Sequence, residues 1–194
     1  EMVAHALWYK QIYSYSGVLE ALSGMPFDVQ FISFDDILEN EHILDDAGGI
    51  INAGDAYTAF SGGDYWKDER IVSALRRFVY EGGGFIGVGE PSAAQKEGHF
   101  FQLYDVLGVD KEVGFSLSQD KYNWQEQEHF LKEGLSNTPE LGEEIRNIYA
   151  LRNTRVLINE RQTVRFATNE YGKGRSVYLS GLPFSFENAR LLYR

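Results

Sequence analysis

Hydrophobic positions in this chain switch between two periods. Ile71, Val72, Leu75, Phe78 and Val79 recur at helical spacing behind Asp68 and Glu69, with Arg76 and Arg77 farther along, so the spacing predicts a helix with acids at its positive end. Gly82 is placed to take the left-handed conformation that ends a helix. Residues 85–88 then form a short apolar run between glycines, too brief for a helix and suited to a strand buried on both faces. Upstream, residues 3–8 read as a strand, 16–22 as a helix closed by Gly24 and Pro26, 27–34 as a second strand and 48–52 as a third. Strand alternating with helix predicts an α/β fold: a parallel sheet with helices on both sides.

The second half follows a different pattern. The aromatic segment from Phe100 to Gly108 reads as a short helix ended by Gly108, and residues 110–137 carry no clear period. From Ile145 the chain turns to short β-branched and aromatic runs, at 145–151, 155–159, 163–169 and 175–181. Tyr171-Gly172-Lys173-Gly174-Arg175 reads as a hairpin loop, and residues 141–183 form a more β-rich C-terminal part of what is read as one domain over 1–194. Ser185 is placed as an N-cap, but only two residues follow Leu192, and the chain opens on Glu1 rather than Met. The sequence is accordingly read as a piece of a longer protein.

Length and composition narrow the chemistry. A chain of 194 residues can bury roughly 70% of its unfolded surface. No run approaches the ~20 apolar residues of a membrane helix, and no membrane partner is expected. The net charge of −11 argues against nucleic acid, because displacing the counterions of a phosphate backbone needs clustered Lys and Arg. The densest acidic run, Asp35, Asp36, Glu39, Glu41, Asp45 and Asp46, lacks the ligand spacing and central glycine of a calcium loop and reads as a solvated face. With no cysteine there is no thiol nucleophile, disulfide or thiolate metal site.

The loop after residues 85–88, where open α/β folds place their chemistry, offers Gly89-Glu90-Pro91-Ser92. An amidotransferase of related architecture would need a cysteine there. Ser92 lacks the G-x-S-x-G framing of a hydrolase elbow, and His5, His42, His99 and His129 show no metal spacing. Glu90 is the most suggestive single residue, readable as an acid or base or as a cap on the N–H groups of its loop. The loop 54–66 also follows a strand, and Asp55, Thr58, Ser61 and Trp66, with Tyr57, Phe60 and Tyr65, suit a sugar contact or a protein interface. Asp55, Thr58, Ser61, Trp66, Glu90 and Ser92 are therefore the candidate substrate or interface residues. No residue is assigned as catalytic, and no metal or cofactor is expected.

Several stretches, in order, resemble one family: residues 48–56, Ser61-Gly62-Gly63-Asp64-Tyr65-Trp66, residues 78–93, Phe101-Gln102-Leu103, residues 106–111, Lys121-Tyr122-Asn123-Trp124, Gly174-Arg175-Ser176-Val177-Tyr178 and residues 180–194. Together they resemble the central domain of the lacto-N-biose phosphorylase family. The resemblance implies a domain similar to a class I glutamine amidotransferase (flavodoxin-like) that has lost its nucleophile, and similar to the trimerisation domain of certain β-galactosidases. It also implies a bacterial, cytoplasmic enzyme, an inverting galactosyl phosphorylase of the hexosyltransferase class. That enzyme would cleave galactosyl-N-acetylhexosamines or galactosyl-rhamnose with inorganic phosphate to α-galactose 1-phosphate. One carboxylic acid suffices for this chemistry, since phosphate is its own nucleophile. In the family the acid and the sugar contacts lie chiefly on an N-terminal barrel, so the present stretch is expected to be a non-catalytic scaffold. Its partners would be that barrel, a C-terminal domain of the same protein and further copies of itself. The segment from His5 to Ser16 is shorter than the family's first strand-to-helix connection. A second reading, an independent small hydrolase or sugar-binding module, rests on Asp55, Glu90 and Ser92.

Overall fold

The computed structural model describes residues 13–58, 60–114, 124–137 and 139–194. The strand expected at 3–8, His5, and the Lys121-Tyr122-Asn123 stretch lie outside the described residues.

The central helix α3 (Glu69–Glu81) forms as its pattern requires. Asp68 caps it by accepting the N–H of Arg70 at 2.9 Å, and Ile71, Val72, Ala74, Leu75 and Val79 are buried on one face. Gly82, at φ 132°, ends it with its N–H on the carbonyl of Val79. The chain then enters β2 (Gly84–Gly89) beside β1 (Gly49–Gly54). Before it, α1 (Tyr13–Leu22) and α2 (Phe34–Glu39) flank the sheet.

The sheet runs β1-β2-β9-β8-β7, with β7 (Arg155–Glu160), β8 (Thr163–Tyr171) and β9 (Gly174–Leu179). It is mixed rather than wholly parallel. β1, β2 and β9 run parallel, whereas β8 pairs antiparallel with both β9 and β7. The reason is local: Tyr171 pairs with Gly174, so only Gly172 and Lys173 link β8 to β9, and two residues can reverse a chain but cannot carry a crossover.

Both faces are covered. On one face α3, Trp66, Phe101, Leu107 and Tyr178 pack around Phe85. On the other, α1 and the last helix, α5 (Phe186–Tyr193), cover Val88, Leu157, Phe166 and Leu179. Ser185 caps α5 by accepting the N–H of Asn188 at 3.0 Å.

Two expected elements differ. Residues 27–33 form no strand, and Phe27, Val29 and Phe31 face outward. Ser33 and Asp36 instead close a capping box, which commits the chain to α2 from Phe34 onward. The aromatic segment is only partly helical. His99–Phe101 is a strand, β4, paired with β3 (Ala93–Lys96), and the helix α4 is the single turn Tyr104–Leu107, ended by Gly108 at φ 73°. A buried side chain accounts for this: one carboxylate oxygen of Asp110 accepts the N–H groups of Phe100 (3.1 Å), Phe101 (2.9 Å) and Lys111 (2.8 Å). The region expected to be irregular contains β5 (Val109–Lys111), which pairs with β6 (Ile148–Ala150). The acidic run is exposed at Asp35, Asp36, Glu39, Asp45 and Asp46. No helix among the described residues is long and apolar enough to cross a membrane.

Candidate functional site at the strand ends

Parallel β1 and β2 end side by side at Gly54 and Gly89. A Cβ at Gly89, whose φ is 83°, would stand 2.7 Å from the Gly54 carbonyl oxygen, so the close approach of the two backbones needs glycine there. The next N–H, of Glu90, donates to that carbonyl at 2.9 Å. Tyr178, fully buried on β9, donates its hydroxyl to the Gly89 carbonyl at 3.2 Å, and burial holds its phenol far above the ordinary range.

Glu90 is the hinge of the site. Its Oε2 accepts the N–H of Ala56 at 3.0 Å, and its Oε1 forms an ion pair with the ammonium of Lys111, which lies 4.9 Å from the ring centroid of Phe100. The carboxylate thereby ties the loop after β1 to β5. Asp55, next to it, makes no hydrogen bond or ion pair through its carboxylate among the described residues. Burial, then the charges of Glu90 and Glu143, push its carboxyl up to about 6.

The remaining candidates turn inward. The hydroxyls of Thr58 (2.7 Å) and Ser61 both donate to the Asp55 carbonyl. Trp66 is fully buried, gives its indole N–H to the Ser61 carbonyl and meets Phe34 edge-on at 5.2 Å. It is therefore a core anchor, a correction to its reading as an exposed interface aromatic: the 3₁₀ turn Gly63–Lys67 directs it beneath the loop. Tyr57 and Tyr65 do remain exposed. Ser92 is also fully buried, at φ 54°; its N–H donates to Asn52 Oδ1 at 3.2 Å and its Oγ accepts the N–H of Leu103 at 3.2 Å. Glu90 and Asp55 thus come together, while Ser61, Trp66 and Ser92 form the frame behind them.

Asn52, Lys111 and Asp110 are the residues that sequence reasoning missed. Asn52 joins both loops by donating to the Ser61 carbonyl and accepting from Ser92, and its signal was an amide inside the apolar run Ile50-Ile51-Asn52-Ala53. Asp110 also pairs with His99 Nδ1 at 2.8 Å, and that ring stacks on Tyr104 at 3.6 Å. Nothing in the local sequence marks Lys111 as the partner of Glu90.

Among the described residues the site has no activated nucleophile. The Ser92 hydroxyl is buried, and Glu90 is neutralised by Lys111 and occupied by backbone. No group of three or more potential metal-ligating side chains occurs among the described residues.

The fold defines an α/β domain built on a mixed sheet, with Glu90 and Asp55 at the carboxyl ends of two parallel strands. The family model of the lacto-N-biose phosphorylase central domain matches residues 1–194, and the chain belongs to that family. It is 58% identical over 193 residues to a 1,3-β-galactosyl-N-acetylhexosamine phosphorylase of Lachnoclostridium phytofermentans, covering all of this chain and 27% of that protein. It is 39% identical to the D-galactosyl-β-1,4-L-rhamnose phosphorylase of the same organism, covering 89% of this chain and 23% of that protein. The chain thus spans about a quarter of the length of these relatives. Among solved structures it resembles a cytoplasmic protein of Salmonella typhimurium (TM-score 0.60, 14% identity, 93% of this chain and 86% of that one). It also resembles a β-galactosidase of Bacillus circulans sp. alkalophilus (TM-score 0.53, 15% identity, 95% of this chain and 26% of that one). These two likenesses concern the fold alone.

Proposed function

We propose that this chain is a non-catalytic scaffold and assembly domain of a β-galactoside phosphorylase. The whole enzyme is read as a cytoplasmic, inverting phosphorylase that converts galactosyl-N-acetylhexosamine or galactosyl-rhamnose and inorganic phosphate to α-galactose 1-phosphate, with no further cofactor. The domain is read as a single unit over 1–194 on an amidotransferase-like framework. Its partners are a barrel and a C-terminal domain of the same polypeptide and further copies of itself.

One observation carries this reading. The carboxylate that stands where a catalytic group would project, Glu90, is committed to Ala56 and Lys111, so it holds loops rather than a substrate. The exposed Tyr57 and Tyr65 beside it suit a protein contact. The second reading, a sugar-binding crevice, draws on Asp55, whose carboxyl is pushed up to about 6 by burial and the charge of Glu90, within the range useful for proton transfer.

The two readings separate in one experiment. The purified chain is titrated calorimetrically with uncharged galactosyl-N-acetylhexosamine and assayed with that disaccharide plus phosphate, after light scattering has fixed its mass. A scaffold gives no heat and no turnover. Saturable disaccharide binding that is lost in Asp55→Asn overturns the scaffold reading.

A further inference from the structure

A second concave site lies at the opposite end of the sheet from Glu90. Near the start of β9, Arg175 shares a face with Val177 and Leu179. Antiparallel β8 presents Thr168 and Glu170 there, and β7 begins with Arg155. The end of α5, with Leu191, Leu192 and Arg194, and the 3₁₀ turn Phe130–Lys132 with its N-cap His129 wall the other side. Together they enclose a cleft of about 790 Å³ with an apolar floor of Ile86, Val177, Leu179 and Leu131.

Its charge runs against the rest of the molecule. The chain carries −11 overall, yet three arginines, Arg155, Arg175 and Arg194, line this cleft with Glu170 as the one acid among its lining residues. Glu170 lies opposite Arg175 in the ladder and 4.0 Å from Arg155, and one carboxylate cannot neutralise both. Arg194 spends part of its donor set on the carbonyls of Phe130 and Glu133. The Arg175 side chain makes no hydrogen bond or ion pair among the described residues, which leaves its whole donor fork free. His129 Nδ1 accepts the N–H of Leu131 at 3.3 Å, so the neutral ring carries its proton on Nε2 as one more donor. Burial, then Arg155 and Arg175, lower its proton affinity, as expected of an imidazole sharing a positive field.

We propose that this cleft is an anion site for a phosphate monoester with an apolar or aromatic body, the phosphate held by Arg155 and Arg175 and the body laid on Ile86, Val177 and Leu131. Planar guanidinium groups match phosphate oxygens in pairs. The volume lies within the range of cofactor-sized ligand sites and exceeds what bare phosphate fills. This site is separate from the strand-end crevice, so it neither needs nor tests the scaffold reading.

The test is calorimetric titration of the purified chain with AMP, glucose 6-phosphate and inorganic phosphate. AMP is expected to saturate with a Kd on the order of 1 mM or tighter, ahead of glucose 6-phosphate and inorganic phosphate, and to weaken as salt rises. Arg175→Ala and Arg155→Ala should each weaken AMP about tenfold or more, the worth of one charge-assisted hydrogen bond. The Arg175 side chain has no partner among the described residues whose loss would unfold the chain, so its variant should keep the parent melting temperature. Arg146→Ala removes the same charge from an exposed position outside the cleft and should leave binding unchanged. Absence of saturable binding by all three anions overturns the proposal. So does AMP binding that survives Arg175→Ala, or that falls equally in Arg146→Ala. Equal affinity for AMP and inorganic phosphate overturns the assignment of the body to the apolar floor.

Discussion

Glu90 accepts the backbone N–H of Ala56 at 3.0 Å across the ends of two parallel strands, while its other oxygen holds Lys111. Three separate segments therefore meet on one carboxylate, with side chains only 15% exposed for Glu90 and 24% for Lys111.

Glu90→Gln keeps an acceptor for Ala56 but removes the charge facing Lys111. It should cost about 1–3 kcal/mol, since it leaves a largely buried ammonium without its counter-charge. For a chain of this size each kcal/mol lowers Tm by roughly 2–4 °C. In a longer phosphorylase that contains this domain, stability or assembly should suffer more than the chemical step. A fall in turnover of about 10²-fold or more at unchanged mass would instead make Glu90 a participant in the reaction.

Asp55 sets a pH dependence of the opposite sense to that of an ion-paired acid. Its carboxyl is raised from 3.8 to about 6, so the folded state holds this proton more tightly than the unfolded one. The contribution is fully present below pH 3.8 and is lost as pH rises through about 6. Asp55→Asn should abolish that loss, so the difference in Tm between variant and parent should grow in the variant's favour from pH 4 to pH 7. A constant difference across that range would refute the shift.

Gly17 lies inside α1, where alanine normally stabilises a helix by about 0.5–1 kcal/mol. Here the sign should reverse. A Cβ at Gly17 would stand 1.8 Å from the Leu182 carbonyl oxygen, which is backbone and cannot swing aside. Gly17→Ala is expected to destabilise by about 2 kcal/mol or more in a urea melt, because α1 must move off the 182–184 segment.

Asp110 is 1% exposed and satisfies three backbone N–H groups together with His99. Asp110→Ala should cost about 3–5 kcal/mol, the scale for removing one partner of a buried charged network. Asp110→Asn should cost less, because its amide oxygen still accepts from Phe100 and Phe101. Equal melting temperatures for the two variants would contradict this account.

Elements that carry their own signals were legible in the sequence. α3 announced itself through Asp68, its apolar stripe and Gly82, β2 through the glycine-flanked run, and the β8–β9 hairpin through Gly172-Lys173. What failed depended on distant partners. The alternation of Phe27, Val29 and Phe31 resembles a strand, but a strand exists only where a neighbour takes its N–H and C=O groups, and the capping box at Ser33 was overlooked. Glu90 and Asp55 were recognisable as candidates from the strand that precedes each. The ion pair with Lys111 depends on β5, the burial of Trp66 on Phe34 of α2, and that of Ser92 on Leu103, none of which a local pattern encodes. The cleft at Arg155 and Arg175 was equally hidden, because the net charge averages over the whole surface.

The place of β9 in the sheet has a consequence for how the chain acquires its form during synthesis. β9 pairs on one side with β8, two residues away, and on the other with β2, where Gly84 meets Arg175. The hairpin can close in about 1–10 μs, whereas joining β2 to β9 must overcome the entropy of a long loop. Among the described strands, β1 and β2 have only each other to pair with when they leave the ribosome, and a two-stranded sheet is too small to persist alone. Completion of the core waits for the last strand to emerge, so a nascent chain halted before Gly174 exposes the apolar faces of β1 and β2 and becomes a chaperone client rather than a folded intermediate.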